Sequence, residues 1–140
     1  MKKISILSLM LCISFVLSSF TPNNDIPKIS KNNGSCKVKL LRIHCTARED
    51  FTGCDDIYFI INGEKTQEWK GCRGATIELN KTFYFDGSTS ISLYDYDVDG
   101  DDCLGTKKIY CAEAQEDGEQ TKNFNEDGAD YTLYYKVFYN

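Results

Sequence analysis

The sequence of 140 residues is short of histidine, of positive charge and of any pattern that would wind a helix. His44 is the only histidine, and no serine, cysteine or acid stands at a recognisable spacing to make it the base of a nucleophile, so it reads as structural or surface. No CxxC pair exists either, which argues against a zinc site. Sixteen Lys and Arg against 21 Asp and Glu leave a net charge of −5, the wrong sign for nucleic acid and suited to a chain that meets metal ions. Beyond the first twenty residues nothing approaches the roughly 18 to 20 continuous apolar residues that span a bilayer. No segment keeps a helical period for three turns, and no internal repeat is visible.

Residues 1–20 have a short basic start, "MKK", and then the apolar run "ISILSLMLCISFVLSSF" ending in small residues, the form of a secretory signal peptide. Cys12 lies inside this run behind Leu11, where a lipoprotein site would want a small residue, so it is expected to leave with the signal. Losing Lys2 and Lys3 makes the mature chain two units more negative. Secretion to an extracellular or periplasmic compartment is the expected localisation. Residues 21–35 are polar and carry both prolines, the composition of a flexible leader. Residues 36–140 suit one modest domain. They contain six cysteines, Cys36, Cys45, Cys54, Cys72, Cys103 and Cys111, an even number in an exported chain, so three disulfides are expected among 15 possible pairings.

From Cys36 onward, short runs of β-branched and aromatic residues alternate with turns, which predicts an all-β fold. "CKVKLLRIHC" is a first strand. "DIYFIINGEKTQEWKG" is two strands joined at Asn62-Gly63, a dipeptide that accepts the positive φ angles of a tight hairpin. "ATIELNKTFYF", with a bulge or bend near Asn80, "STSISLYDYD" and "LGTKKIYC" follow, then an acidic, turn-rich stretch with a short strand at "QTKNF". The last strand, "YTLYYKVFYN", sets Tyr131, Leu133, Tyr135, Val137 and Tyr139 on one face. Seven or eight strands of this kind make an antiparallel β-sandwich. Trp69 and the tyrosines, at alternating strand positions, read as core and sheet-face residues before they read as a sugar platform. Lys37, Lys39, Lys65, Lys70, Lys107 and Lys108 are scattered on strands, where lysines commonly keep sheet edges soluble; a basic face for anionic lipid is the weaker reading.

The stretch from Leu93 to Thr106, "LYDYDVDGDDCLGT", holds Asp95, Asp97, Asp99, Asp101 and Asp102. Carboxylates about 4 to 6 Å apart repel by roughly 1 to 4 kcal/mol at surface dielectrics, so a cation is expected among them; a solvated acidic turn is the plainer alternative. An EF-hand loop fails. Its opening matches Asp95, Asp97, Asp99 and Gly100, but the twelfth position is Thr106, the apolar eighth is Asp102, and strands flank the loop.

Upstream, "REDFTGCDDIYFIING" places Asp50 and Asp56 around a glycine loop that runs into a strand. With "LNKTFYF" and "DYDVDGDDCLG" this resembles the C2 domain, a calcium- and phospholipid-binding β-sandwich. The family's first loop, D-x-x-G-x-x-D-P-Y, corresponds to Asp50, Gly53, Asp56, Ile57 and Tyr58. Its middle strand corresponds to Leu79 through Phe85, and its third loop to Asp95, Asp97, Asp102 and Gly105. The departures are Ile57 in place of the proline and a third loop one residue short, which leaves Asp101 and Asp102 as alternatives. The resemblance implies that Asp50, Asp56, Asp95, Asp97 and Asp102 or Asp101 hold one or two Ca2+ ions, and that Phe51 and Val98 at the loop tips contact a membrane. It also suggests the circularly permuted topology, in which the final strand fills the place of the usual first one. A Cys54 to Cys103 bridge would tie the two loops together.

The expected function is therefore a secreted, monomeric module, not an enzyme, that binds calcium and through it an anionic phospholipid surface. The alternative is a calcium-stabilised module for protein or glycan adhesion.

Overall fold

The computed structural model describes residues 35–49, 53–98 and 100–140. The expected signal peptide and the leader up to residue 34 lie outside them, as do Asp50 and Phe51. Among the described residues nine strands form: β1 (Cys36–Ala47), β2 (Asp55–Ile61), β3 (Glu64–Lys65), β4 (Trp69–Gly71), β5 (Thr76–Phe85), β6 (Ser88–Asp95), β7 (Asp102–Tyr110), β8 (Gln120–Phe124) and β9 (Asp130–Tyr139). A single 3-10 turn, Cys111–Gln115, separates β7 from β8. Among the described residues no helix is long and apolar enough to cross a membrane.

The strands pair antiparallel into two sheets, one of order β5-β1-β9-β8 and one of order β3-β2-β6-β7 with β4 added beside β2. The all-β sandwich is as the sequence predicts, with more strands than the seven or eight expected. The surplus arises because "EKTQEWKG" does not run as one strand. Thr66 folds back on β2 instead, its N–H donating to the Phe59 carbonyl and its Oγ1 accepting from the Phe59 N–H, both at 2.9 Å. That local side-chain bond splits β3 from β4.

Two turns of backbone explain the register. Asn62 and Gly63 have φ of 53° and 77°, the paired positive angles that a two-residue hairpin requires. In β1 the pairing slips between Leu40 and Arg42 against both neighbours, opposite Asn80 at φ 49°. This bulge shifts the alternation by one residue, so Cys36, Val38 and Leu40 point inward before it and Ile43 and Cys45 after it.

The core fills the space between the sheets. Leu40, Ile43, Ile57, Phe59, Ile91, Leu93, Leu104, Ile109, Phe124 and Leu133 are all fully buried, each stabilising by about 1.5 to 3 kcal/mol relative to exposure. Phe59 meets Trp69 and Phe124 edge to face, which puts Trp69 against the core. On β9 the inward alternation holds for Tyr131, Leu133, Tyr135 and Val137, while Tyr139, past the end of the core, is exposed.

The sandwich has two unlike ends. At one, Cys36 is bonded to Cys111 and the Ser35 N–H donates to Asp86 Oδ1 at 2.7 Å. At the other lie the connections from β1 to β2, from β4 to β5, from β6 to β7 and from β8 to β9.

Candidate metal centre

The loop before β2 and the loop after β6 meet because those two strands are neighbours, with Ile57 opposite Asp95. Their junction is fixed by backbone: the Asp56 N–H donates to Asp95 Oδ1 at 2.6 Å, and the Tyr96 N–H donates to the Asp56 carbonyl at 3.0 Å. Strand alternation then decides which acids face inward. Asp55 continues the inward series of Phe59 and Ile57, and Asp95 that of Ile91 and Leu93, so both are buried, at 0% and 1% exposure.

Asp56 takes the other face. Its Oδ2 lies 2.5 Å from Lys70 Nζ, its cross-strand partner on β4, which turns it away from the remaining loop acids. The acid that turns inward beside it is Asp55, which the D-P-Y correspondence passes over. Counting back by twos from Phe59 would have found it.

The carboxylates that converge are Glu49, Asp97 and Asp102, with one oxygen of each lying within 4.8 Å of the others and all three partly exposed. Glu49 comes from the first loop, Asp97 from the third, and Asp102 opens β7. Asp101, the alternative to Asp102, instead accepts the Tyr58 hydroxyl at 2.5 Å on the outer face of the sheet. Burial and this bond push the Tyr58 phenol upward in pKa, so it stays a donor. Val98 stands fully exposed at the tip of the third loop, at 101%. Glu49 was not among the sequence candidates; only its place beside Asp50 in "RED" hinted at it.

A buried relay sets the position of Glu49. The Tyr131 hydroxyl donates to Asp55 Oδ2 at 2.6 Å and reaches the Gly71 carbonyl at 3.1 Å, and the same Asp55 oxygen accepts the Glu49 N–H at 3.0 Å. Gly71 has no alternative here, since a Cβ on it would stand 2.2 Å from the Tyr131 oxygen. Burial first, then the bond to Asp55, raises the Tyr131 pKa, so the hydroxyl keeps its proton and its role as donor.

The disulfide pattern corrects the sequence expectation. Among the described residues two bonds form, Cys36 to Cys111 and Cys54 to Cys72, and Cys45 and Cys103 are free, buried and exposed respectively. Cys54 and Cys72 flank the Asp55–Gly71 pair of neighbouring strands, which leaves their Cα atoms 4.4 Å apart. Cys103 pairs with Tyr94 on β6, a full strand away from β2. Two strand spacings of about 4.8 Å exceed the span of a disulfide, so the Cys54 to Cys103 bridge does not form. The first loop is tied to the β4–β5 connection, not to the third loop. Burial pushes the Cys45 thiol up in pKa, away from the reactive thiolate.

The donor set is made of hard carboxylate oxygens from two loops. Calcium takes 6 to 8 oxygens at about 2.3 to 2.6 Å, so oxygens of one shell lie at most about 5 Å apart, and the spacing of Glu49, Asp97 and Asp102 fits within it.

No protein-family model matches the sequence, and no curated protein sequence matches it. Solved structures do match in shape. The calcium-bound pair of C2 domains of extended synaptotagmin 2 superposes with a TM-score of 0.55 at 19% identity, over 76% of this chain and 45% of that one. Another structure of the same two domains gives 0.52 at 19% identity, over 99% of this chain and 46% of that one. Human GIVD cytosolic phospholipase A2 gives 0.52 at 17% identity over 75% of this chain, which spans only 16% of the enzyme. The two-sheet sandwich, with its acidic loops gathered at one end, has the fold of a C2 domain.

Proposed function

We propose that the protein is a calcium-binding C2-type module, exported by its N-terminal signal, that attaches to anionic phospholipid surfaces through the bound ion. The observation that carries this reading is the convergence of Glu49, Asp97 and Asp102 from separate parts of the chain. Three like charges held this close repel one another, and a divalent cation turns that repulsion into attraction. One synaptotagmin structure of this fold is described as calcium bound, which supports the choice of ion. Three carboxylates leave part of a calcium shell to other oxygens, among which a lipid phosphate is one source. Val98 at the loop tip adds apolar burial at the headgroup boundary.

An exported protein meets roughly millimolar calcium, so a site with Kd of about 10⁻⁴ to 10⁻³ M would stay occupied and act as a fixed bridge, not a switch. The reading is of a binding module and not of an enzyme. Isothermal titration with calcium chloride should give saturable heat in this range, and the Asp97→Asn, Asp102→Asn double variant should abolish it. Absence of heat at millimolar calcium rejects the centre. Co-sedimentation with phosphatidylserine vesicles should require calcium and be lost in chelator. Calcium binding without vesicle binding would transfer the module to the adhesion reading.

A further inference from the structure

β1 and β9 are the two interior strands of the four-stranded sheet, so lysines on them guard no edge. Yet Lys37 and Lys39 on β1 and Lys136 on β9 share its outer face. Lys39 and Lys136 are directly opposed, an arrangement that destabilises a sheet when both side chains are charged. Lys37 stands between two rings, Tyr84 on β5 and Phe138 on β9, with its Nζ 5.7 Å from the Phe138 centroid. Phe138 is 40% exposed.

The acids of this face offset the row only in part: Glu119 lies close enough to attract Lys136, but its two oxygens are already engaged. Both Glu119 oxygens are taken by the Arg42 guanidinium, at 2.6 and 2.7 Å, and Arg42 also opposes Glu78 and lies 4.3 Å from the Tyr134 ring. Among the described residues the other ion pairs are Lys65 with Glu68, Lys70 with Asp56 and Lys122 with Glu113. None involves Lys37, Lys39 or Lys136.

The geometry points to a docking surface for an acidic polysaccharide, a glycan bearing carboxylate or sulfate groups. Successive outward lysines on a strand are spaced about 6.6 Å and opposed ones about 5 Å, so the three ammonium groups form a narrow line of charge. Sugars present an apolar ring face beside their anionic groups, which matches a lysine flanked by aromatic rings. A flat anionic membrane fits less well, because it would press Glu78 and Glu119 against the same negative surface. A polyphosphate carries a denser charge, which the net negative chain repels more strongly.

This inference is independent of the calcium centre, which lies in the end loops, so the test is run in chelator. Labelled chondroitin sulfate oligosaccharide, titrated with the full protein in low salt and followed by fluorescence anisotropy, should bind saturably, weaken with salt and compete poorly with neutral dextran. The Lys37→Gln, Lys39→Gln, Lys136→Gln variant should lose at least tenfold in affinity, and Phe138→Ala several-fold, while Lys65→Gln, a loss of one positive charge on the other sheet, leaves it unchanged. Relieving the opposed lysines should leave the Tm equal or higher, so lost binding would report contact and not unfolding. Absence of saturable binding, unchanged affinity in the triple variant, or tighter binding to oligo-dT or to phosphatidylserine vesicles under the same chelator would overturn it.

Discussion

Tyr131 and Tyr135 stand four residues apart on the inner face of β9, and each donates its hydroxyl to a carboxylate 2.6 Å away, Asp55 in one case and Glu113 in the other. Their surroundings differ. The second Glu113 oxygen takes Lys122 Nζ and the Tyr110 N–H, at 3.3 and 3.2 Å, and the Glu113 carbonyl takes Gln120 Nε2 at 2.7 Å. That network closes on itself and pins the 3-10 turn to β8 and β9. Asp55, fully buried, instead passes its contact on to the backbone of Glu49, one of the converging acids. One tyrosine–carboxylate pair thus completes a piece of scaffold, and the other aims a loop.

The disulfides offer the strongest way to break this comparison, since one stands at each end. Cys36 and Cys111 are separated by 75 residues and Cys54 and Cys72 by 18, which in the chain-entropy account makes the bonds contribute about 4 and about 3 kcal/mol. Paired Cys→Ser substitution at Cys36 and Cys111 should lower the unfolding free energy by about 4 kcal/mol in guanidinium melts and leave calcium affinity, read by titration calorimetry, unchanged. The same change at Cys54 and Cys72 should lower stability somewhat less and weaken calcium about tenfold, because it frees the base of the first loop. Equal loss of calcium affinity in both would erase the distinction between scaffold end and site end.

The succession of long strands along the chain and the hairpin were legible in the sequence because period-2 burial and Asn62-Gly63 are local signals. The short partners β3 and β4 were not, since the break at Thr66 comes from a side chain bonding across to Phe59. At the site, the C2 resemblance implied Asp97, and Asp102 as an alternative to Asp101, and Asp97 and Asp102 are brought together with Glu49. The choice between Asp55 and Asp56 depended on strand parity, which a loop motif ignores but which the inward run of Ile57 and Phe59 encodes. Asp50 and Phe51 fall outside the described residues. The disulfides were least legible: six cysteines permit every pairing until sheet order shows that β6 stands between Cys54 and Cys103.

Removing one hydroxyl at a time sharpens the comparison at lower cost to the fold. Tyr131→Phe leaves a fully buried carboxylate short of a donor, and should destabilise by about 1.5 to 3 kcal/mol. Glu113 keeps Lys122 and the Tyr110 N–H after Tyr135→Phe, so the loss there should be about 1 kcal/mol or less. Urea melts measure both. Calcium titration should respond to Tyr131→Phe alone, because only that hydroxyl is linked through Asp55 to Glu49.

Alkaline pH gives the smallest and most symmetrical readout. Burial first, and a carboxylate bond second, raise the pKa of Tyr131 and of Tyr135 above the ordinary phenol range. In the unfolded chain both titrate near pH 10, so below that pH the stabilisation is fully present in each case. Above it the unfolded state releases protons that the folded state retains, and stability falls as pH rises, by about 1.4 kcal/mol per pH unit for each such tyrosine. Between pH 10 and 11 each Tyr→Phe variant should therefore show a shallower decline than the parent by one tyrosine's share, whichever end it faces. An unequal change in slope would mean that one of the two hydroxyls already ionises in the folded protein, and an ionised Tyr131 could no longer donate to Asp55 and hold the first loop in place.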